Sequence, residues 1–374
     1  MKGLLRTTKN KGGSRVKKIK KTAFLMGVLV LALSLLAGCG GGEKSNGTGE
    51  DGKISGELNL FNWSEYMPQS VIDKFQEKYG VKVNYGTYSS NEEMLAKLMA
   101  GASQYDLTVA SGYMVDIMVK KGLLQEIDFN NIPNFNNIGE DFKNKDFDPE
   151  NKYSVAYMWG GSVIAYNSDK VKIPITGYKD LWDPSLNNSL VVLDDHREII
   201  GMTLKKLGYS ENETDENKLK EAEAELKKLI PNIKAYDSDS PKTLLINGEA
   251  AAGLVWGAEA YLAQQENPAI KAVLPEEGMS LWQDCFVIPK DAPNKKAAEE
   301  FISFILDPEI SAEISREFPY ANPNMAAHQH IDKKILENPA VYPPAEALAK
   351  GEFIKDVGDA TTIYDRIWSE VKTE

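Results

Sequence analysis

The 374 residues include 43 Lys+Arg, 55 Asp+Glu, three His and two Cys, with 42% hydrophobic and 26% charged content, a globular balance long enough for two separate cores. The first 38 residues hold nine of the Lys/Arg and no acid, which leaves residues 39–374 with 34 basic against 55 acidic groups, a net −21, so nucleic acid is not an expected partner of the body. His196, His328, His330 and two cysteines cannot supply a zinc ribbon, an HExxH or a CxxC site, and no GxxxxGK[ST] occurs, so no metal, cofactor or nucleotide is expected.

Lys2 to Lys21 is a basic stretch, Thr22 to Gly38 is apolar but short for a bilayer span, and Leu36-Ala37-Gly38-Cys39 ends it with small residues before a cysteine. That order predicts a signal peptide over 1–38, with an uncleaved membrane anchor as the alternative; both put the body outside the cytoplasm. The LAGC sequence resembles a bacterial lipobox, which implies that Cys39 becomes the lipidated first residue, tethered at the outer face of a membrane. Residues 40–56, rich in Gly, Ser, Asn and Glu, read as a flexible linker. Cys285 lies in an apolar run and reads as a packed thiol.

From Glu57 the chain alternates between two periodicities. ELNLFNW (57–63), VKVNYGTY (81–88) and YDLTVA (105–110) read as strands. Between the first two, Val71, Ile72, Phe75 and Tyr79 share a helical face after Ser70, with Gly80 as a left-handed stop; between the second and third, Ser90 and Glu93 have capping-box spacing before a helix ended by Gly101. Strand, helix, strand, helix, strand predicts a parallel α/β sheet. A second unit of the same kind spans SVIAYN (162–167), SLVVLDD (189–195), a charged helix over 216–230 and AAGLVWGAEAYLAQQ (251–265). The strand LWQDCFVIP (281–289) and a helix over 295–318 then read as a return to the first unit, and two such lobes leave a cleft at their junction.

Four clusters of aromatic and acidic residues fall at predicted strand ends or within strands. Trp63, Ser64, Glu65 and Tyr66 follow the first strand; Asp195 and Glu198 follow SLVVL; Trp256 closes AAGLVW; Trp282 and Asp284, two apart in a strand, share a face and send Gln283 and Cys285 to the other. An indole beside a carboxylate suits an organic cation, because the ring quadrupole attracts an ammonium and the carboxylate accepts its hydrogen bonds. Packing is the competing reading for each Trp, and helix-dipole compensation for Asp195 with Glu198. Asp284 is the sharper signal, since an acid inside an apolar strand needs a partner. Trp159, Trp182 and Trp368 are assigned to packing.

With FNWSEYMP, YDLTVASGYMV, LDDHREI, DSDSP, LVWGAEA, LWQDCFVIP, PYANPN and DVGDATTIY in order, the chain from about Leu58 onward resembles the spermidine/putrescine-binding proteins of bacterial ABC importers. The resemblance implies a type II periplasmic-binding-protein fold, two mainly parallel α/β lobes about a ligand cleft, with approximate boundaries 57–161 and 283–328 for one lobe and 162–282 and 329–374 for the other. It implies no catalysis, a polyamine ligand, and a partner permease with a cytoplasmic ATPase. Carried over by position, Trp63, Tyr66, Tyr113, Trp256, Trp282 and Tyr320 would form an aromatic clamp; Asp195 with Glu198, Asp284, and Glu65 would take the amines; Ser64, Ser111 and Ser238 would add hydrogen bonds. Ile354 stands where that family has Gln, which leaves the choice between spermidine and putrescine open. A receptor for a sugar or other organic solute, and a secreted glycosidase using a pair of these carboxyls, are the other readings.

Overall fold

The computed structural model describes residues 54, 56–101 and 105–373, so the expected leader, Cys39 and all but two residues of the 40–56 segment lie outside the described residues. Strand β1 (Glu57–Trp63) pairs in parallel with β2 (Lys82–Tyr88) on one side and with β3 (Leu107–Ser111) on the other. Helices α1 (Gln69–Tyr79) and α2 (Asn91–Met99) make the crossovers, and α3 (Gly112–Lys120) leaves the end of β3. Gly80, at φ 69°, ends α1 in the left-handed conformation a side chain would resist, as its position predicts. Ser90 caps α2 by accepting from the Glu93 amide.

After a run of short 3-10 turns, β4 (Ser154–Asn167) extends over 14 residues, about twice the span read from sequence. Its first half was hidden because SVAYMWGG is apolar on both faces and lacks alternation. The second sheet holds β5 (Leu190–Val192), β6 (Ile233–Tyr236) and β7 (Ala252–Trp256) in parallel, with β7 antiparallel to the second half of β4 and β8 (Ile270–Val273) on that strand's other side. Helices α4 (His196–Lys206), α5 (Glu216–Leu226), α6 (Lys242–Ile246) and α7 (Gly257–Glu266) connect these strands.

Strand β9 (Ser280–Val287) returns to the first sheet, antiparallel both to β3, with Ser111 opposite Asp284, and to the first half of β4. The order β2-β1-β3-β9-β4-β7-β5-β6 therefore contains two parallel trios joined through antiparallel β9 and β4. The helix expected over 295–318 is two, α8 (Lys295–Ile305) and α9 (Pro308–Glu317): Pro308 cannot continue a helix, and Asp307 caps the new one by accepting from the Glu309 and Ile310 amides. Short α10 (Lys333–Leu336) and α11 (Ala345–Lys350) lead to β10 (Glu352–Phe353), beside β9, and to α12 (Thr361–Val371).

Each trio has its own core. Leu58, Leu60, Val71, Ile72, Phe75, Phe286 and Phe301 pack around the first, and Leu190, Val192, Ile199, Leu204, Leu219, Leu254 and Tyr364 around the second. Each such fully buried side chain contributes roughly 1.5–3 kcal/mol. Among the described residues no helix is long and apolar enough to cross a membrane.

Candidate functional site

The carboxyl ends of β1, β3, β5 and β7 converge on one cavity of about 570 Å³, mouth included. Twelve residues singled out by the sequence line it: Trp63, Ser64, Tyr66, Ser111, Tyr113, Asp195, Glu198, Ser238, Trp256, Trp282, Asp284 and Tyr320. Asn91, Asp239 and Ile354 complete the wall, and none of the lining residues is basic.

The apolar part of the wall is a chain of rings meeting edge to face. Tyr66 and Tyr320 stand 4.9 Å apart, Tyr320 and Trp282 5.7 Å, and Trp282 and Trp256 5.9 Å with planes at 87°. Trp256 is fixed by its Nε1, which donates to the Ser238 carbonyl at 3.0 Å. Trp282 lies against Gly160, where a Cβ would come within 2.9 Å of the indole. The Nε1 atoms of Trp63 and Trp282 have no hydrogen-bond partner among the described residues.

Asp284 is 6% exposed, and each of its oxygens accepts from one hydroxyl: Ser111 Oγ at 2.6 Å on Oδ1 and Tyr66 Oη at 2.9 Å on Oδ2. Asn91 holds Ser111 in turn, accepting from its amide at 3.2 Å and donating to its hydroxyl at 3.1 Å. Burial pushes the Asp284 carboxyl up to about 6, against the pull of those two hydroxyls. Asp195 is the N-cap of α4, with Oδ1 accepting from the Arg197 amide at 2.8 Å and the Glu198 amide at 3.2 Å. The helix-dipole reading of Asp195 therefore holds for one oxygen, while the same residue lines the cavity.

Glu198 is fully buried and neither of its oxygens accepts a hydrogen bond among the described residues. Burial, then the nearby Asp195 and Glu211 carboxylates, hold its carboxyl well above the ordinary range. A carboxylate left without a donor costs several kcal/mol, so the site is built for a group that brings positive charge and N–H bonds.

Glu65 departs from the expectation. It is not among the residues of the cavity wall; its backbone is left-handed (φ 47°) and its carboxylate is held by Lys242 at 2.6 Å. The acid in the wall near Ser64 is Asp239 instead. Sequence reading passed over Asp239 because DSDSP is also ordinary turn chemistry: Asp237 Oδ1 accepts from the amides of Asp239 and Ser240. Asn91, the first residue of α2, carries no signal beyond an unremarkable polar residue after a cap. Trp159, Trp182 and Trp368 are absent from the wall and pack elsewhere, Trp159 on Phe142 and Trp368 on Tyr236. Cys285 is buried on the opposite face of β9, its thiol pushed up to about 12 by burial. Among the described residues no group of His, Cys, Asp and Glu could hold a metal ion.

Residues 70–343 match the family of bacterial extracellular solute-binding proteins. The chain is 42% identical over 319 residues to a spermidine/putrescine-binding periplasmic protein of Salmonella typhimurium and 41% identical over 319 residues to one of Escherichia coli, covering in each case 84% of this chain and 91% of the relative. A crystal structure of the TpPotD lipoprotein of Treponema pallidum, 32% identical, superposes with a TM-score of 0.76 over 85% of this chain and 100% of that one. The spermidine/putrescine ABC transporter substrate-binding protein PotD of Streptococcus pneumoniae, 34% identical, gives 0.71 over 85% and 98%.

Proposed function

The chain belongs to the bacterial extracellular solute-binding proteins, and from that premise we propose that it captures a polyamine, spermidine or putrescine, outside the cytoplasm for import by an ABC permease. One observation carries the reading: the buried Asp284 and Glu198 carboxylates face a wall of indole and phenol rings with no basic residue among them. Ammonium groups would supply the donors that Glu198 lacks, and the rings would take the methylenes between them. Each cation–π contact adds about 0.5–2 kcal/mol and each charged hydrogen bond roughly 1.5–3 kcal/mol. A neutral sugar would stack on the indoles but leave the buried charge uncompensated, which favours the polyamine.

In this reading Trp63, Tyr66, Tyr113, Trp256, Trp282 and Tyr320 clamp the ligand, while Asp195, Glu198, Asp284 and Asp239 receive its amines. Ser64, Ser111 and Ser238 add polar contacts. The lobes divide near Gly161, where β4 leaves β9 for β7, and the closed lobes dock on a permease driven by a cytoplasmic ATPase. Lipid on Cys39 holds the protein at the membrane, so the intact mass of the native mature chain should include a lipid. Calorimetric titration of the purified protein with spermidine, putrescine and glucose tests the ligand class: saturable binding of a polyamine and none of glucose is expected, and binding of glucose alone removes the reading. The same titration decides what Ile354 does to the preference between the two polyamines.

A further inference from the structure

Lys242, the first residue of α6, lies beside the cavity wall: it follows Asp239 by three positions, and its Nζ reaches Glu65, which stands between Ser64 and Tyr66. Its Nζ donates to Glu65 Oε2 at 2.6 Å and to both oxygens of Glu259 at 2.9 and 3.0 Å, with Ser240 Oγ at 3.0 Å. Glu65 follows β1 of the first sheet and Glu259 lies in the first turn of α7, so one tethered ammonium joins carboxylates from both sides of the cleft. The chain around it fixes its place at the rim: Ser64 and Tyr66 flank Glu65, Ser238 and Asp239 lie just ahead of Ser240, and all four line the cavity. The Lys242 side chain is 17% exposed and that of Glu259 4%, so the contact is only weakly screened.

The geometry points to Lys242 as a specificity-determining residue: its ammonium fills the outermost cation position of the cleft, and a bound amine chain must end before Glu65. This rests on the polyamine reading above and narrows it. Asp195 with Glu198, Asp284 and Asp239 leave places for two or three ammonium groups, as in putrescine and spermidine, while a fourth on a longer chain meets the like charge of Lys242 and finds Glu65 taken. Removing the lysine would take away the cation that now holds the Glu65 carboxylate and leave that acid open to an ammonium of the ligand.

Titration of the wild type, Lys242→Met and Lys242→Arg with putrescine, spermidine and the tetra-amine spermine tests this. The wild type and Lys242→Arg should prefer spermidine to spermine, and Lys242→Met should shift that ratio toward spermine by roughly tenfold, the factor one charge-assisted hydrogen bond is worth. An equal loss for all three ligands in Lys242→Met would make the lysine a clasp between lobes and overturn the inference, as would a wild type that binds spermine as tightly as spermidine. Polyamine binding with an unmoved ratio leaves the proposed function standing and removes this one; no polyamine binding by the wild type removes both.

Discussion

Two hydroxyls and no cation hold the Asp284 carboxylate in place, and that imbalance makes it the residue whose removal separates binding from folding. Because burial lifts its carboxyl to about 6, the native protein keeps a proton that the unfolded chain gives up near pH 4. Ligand-free stability therefore falls as pH rises through about 4 to 6, and the penalty is complete above that window. Glu198, raised in the same direction, adds to it. Asp284→Asn should leave the ligand-free melting temperature at neutral pH unchanged or higher, while weakening polyamine binding roughly 10- to 100-fold, from about 1.5–3 kcal/mol per charged hydrogen bond. In the wild type, the rise in melting temperature on adding spermidine should grow from about pH 5 to about pH 7, as the Asp284 carboxyl ionises to receive the ligand. A ligand-induced shift of equal size at both pH values would place the ammonium somewhere other than Asp284.

Helix α4 shows one side chain meeting two demands. Asp195 Oδ1 takes the amides of Arg197 and Glu198, so it caps the helix that carries Glu198 into the cavity. Ser caps about as well as Asp, and Ala loses about 1 kcal/mol. Asp195→Ser should therefore keep the melting temperature and lose polyamine affinity, whereas Asp195→Ala should lose both; thermal unfolding and titration of the two variants distinguish them, and wild-type affinity in Asp195→Ser would confine Asp195 to capping. The element level also shows how far the sequence could be read. Caps and stops, such as Ser90 before α2 and Gly80 after α1, are local chemistry and were legible. The period-2 argument placed Trp282 and Asp284 on the cavity face of β9 and Cys285 behind them. The first half of β4 was not legible, since a strand buried on both faces has no alternation to read. Nor was the fate of Glu65, which depends on a lysine 177 residues further along the chain.

At the scale of the molecule, the two cores are joined through β4, which pairs with β9 over Ser154–Gly161 and with β7 over Ser162–Tyr166. The join is close: a Cβ on Gly161 would stand 2.8 Å from the Ser280 carbonyl oxygen, so the two glycines let β9 lie against β4 and seat Trp282 beside the crossing. The cavity takes Trp63, Ser64 and Ser111 from the first sheet's strand ends, Asp195, Glu198 and Trp256 from the second's, and Trp282 and Asp284 from the strand between. A ligand that touches all three groups binds the closed arrangement better than an open one, and only that difference can drive closure. Saturating spermidine should thus reduce the radius of gyration of the wild type in X-ray scattering. Asp195→Ser combined with Asp284→Asn should contract less at the same ligand concentration, because two of the four acids that would receive the amines across the cleft are gone. Contraction of the double variant to the wild-type value would mean that closure does not depend on these carboxylates.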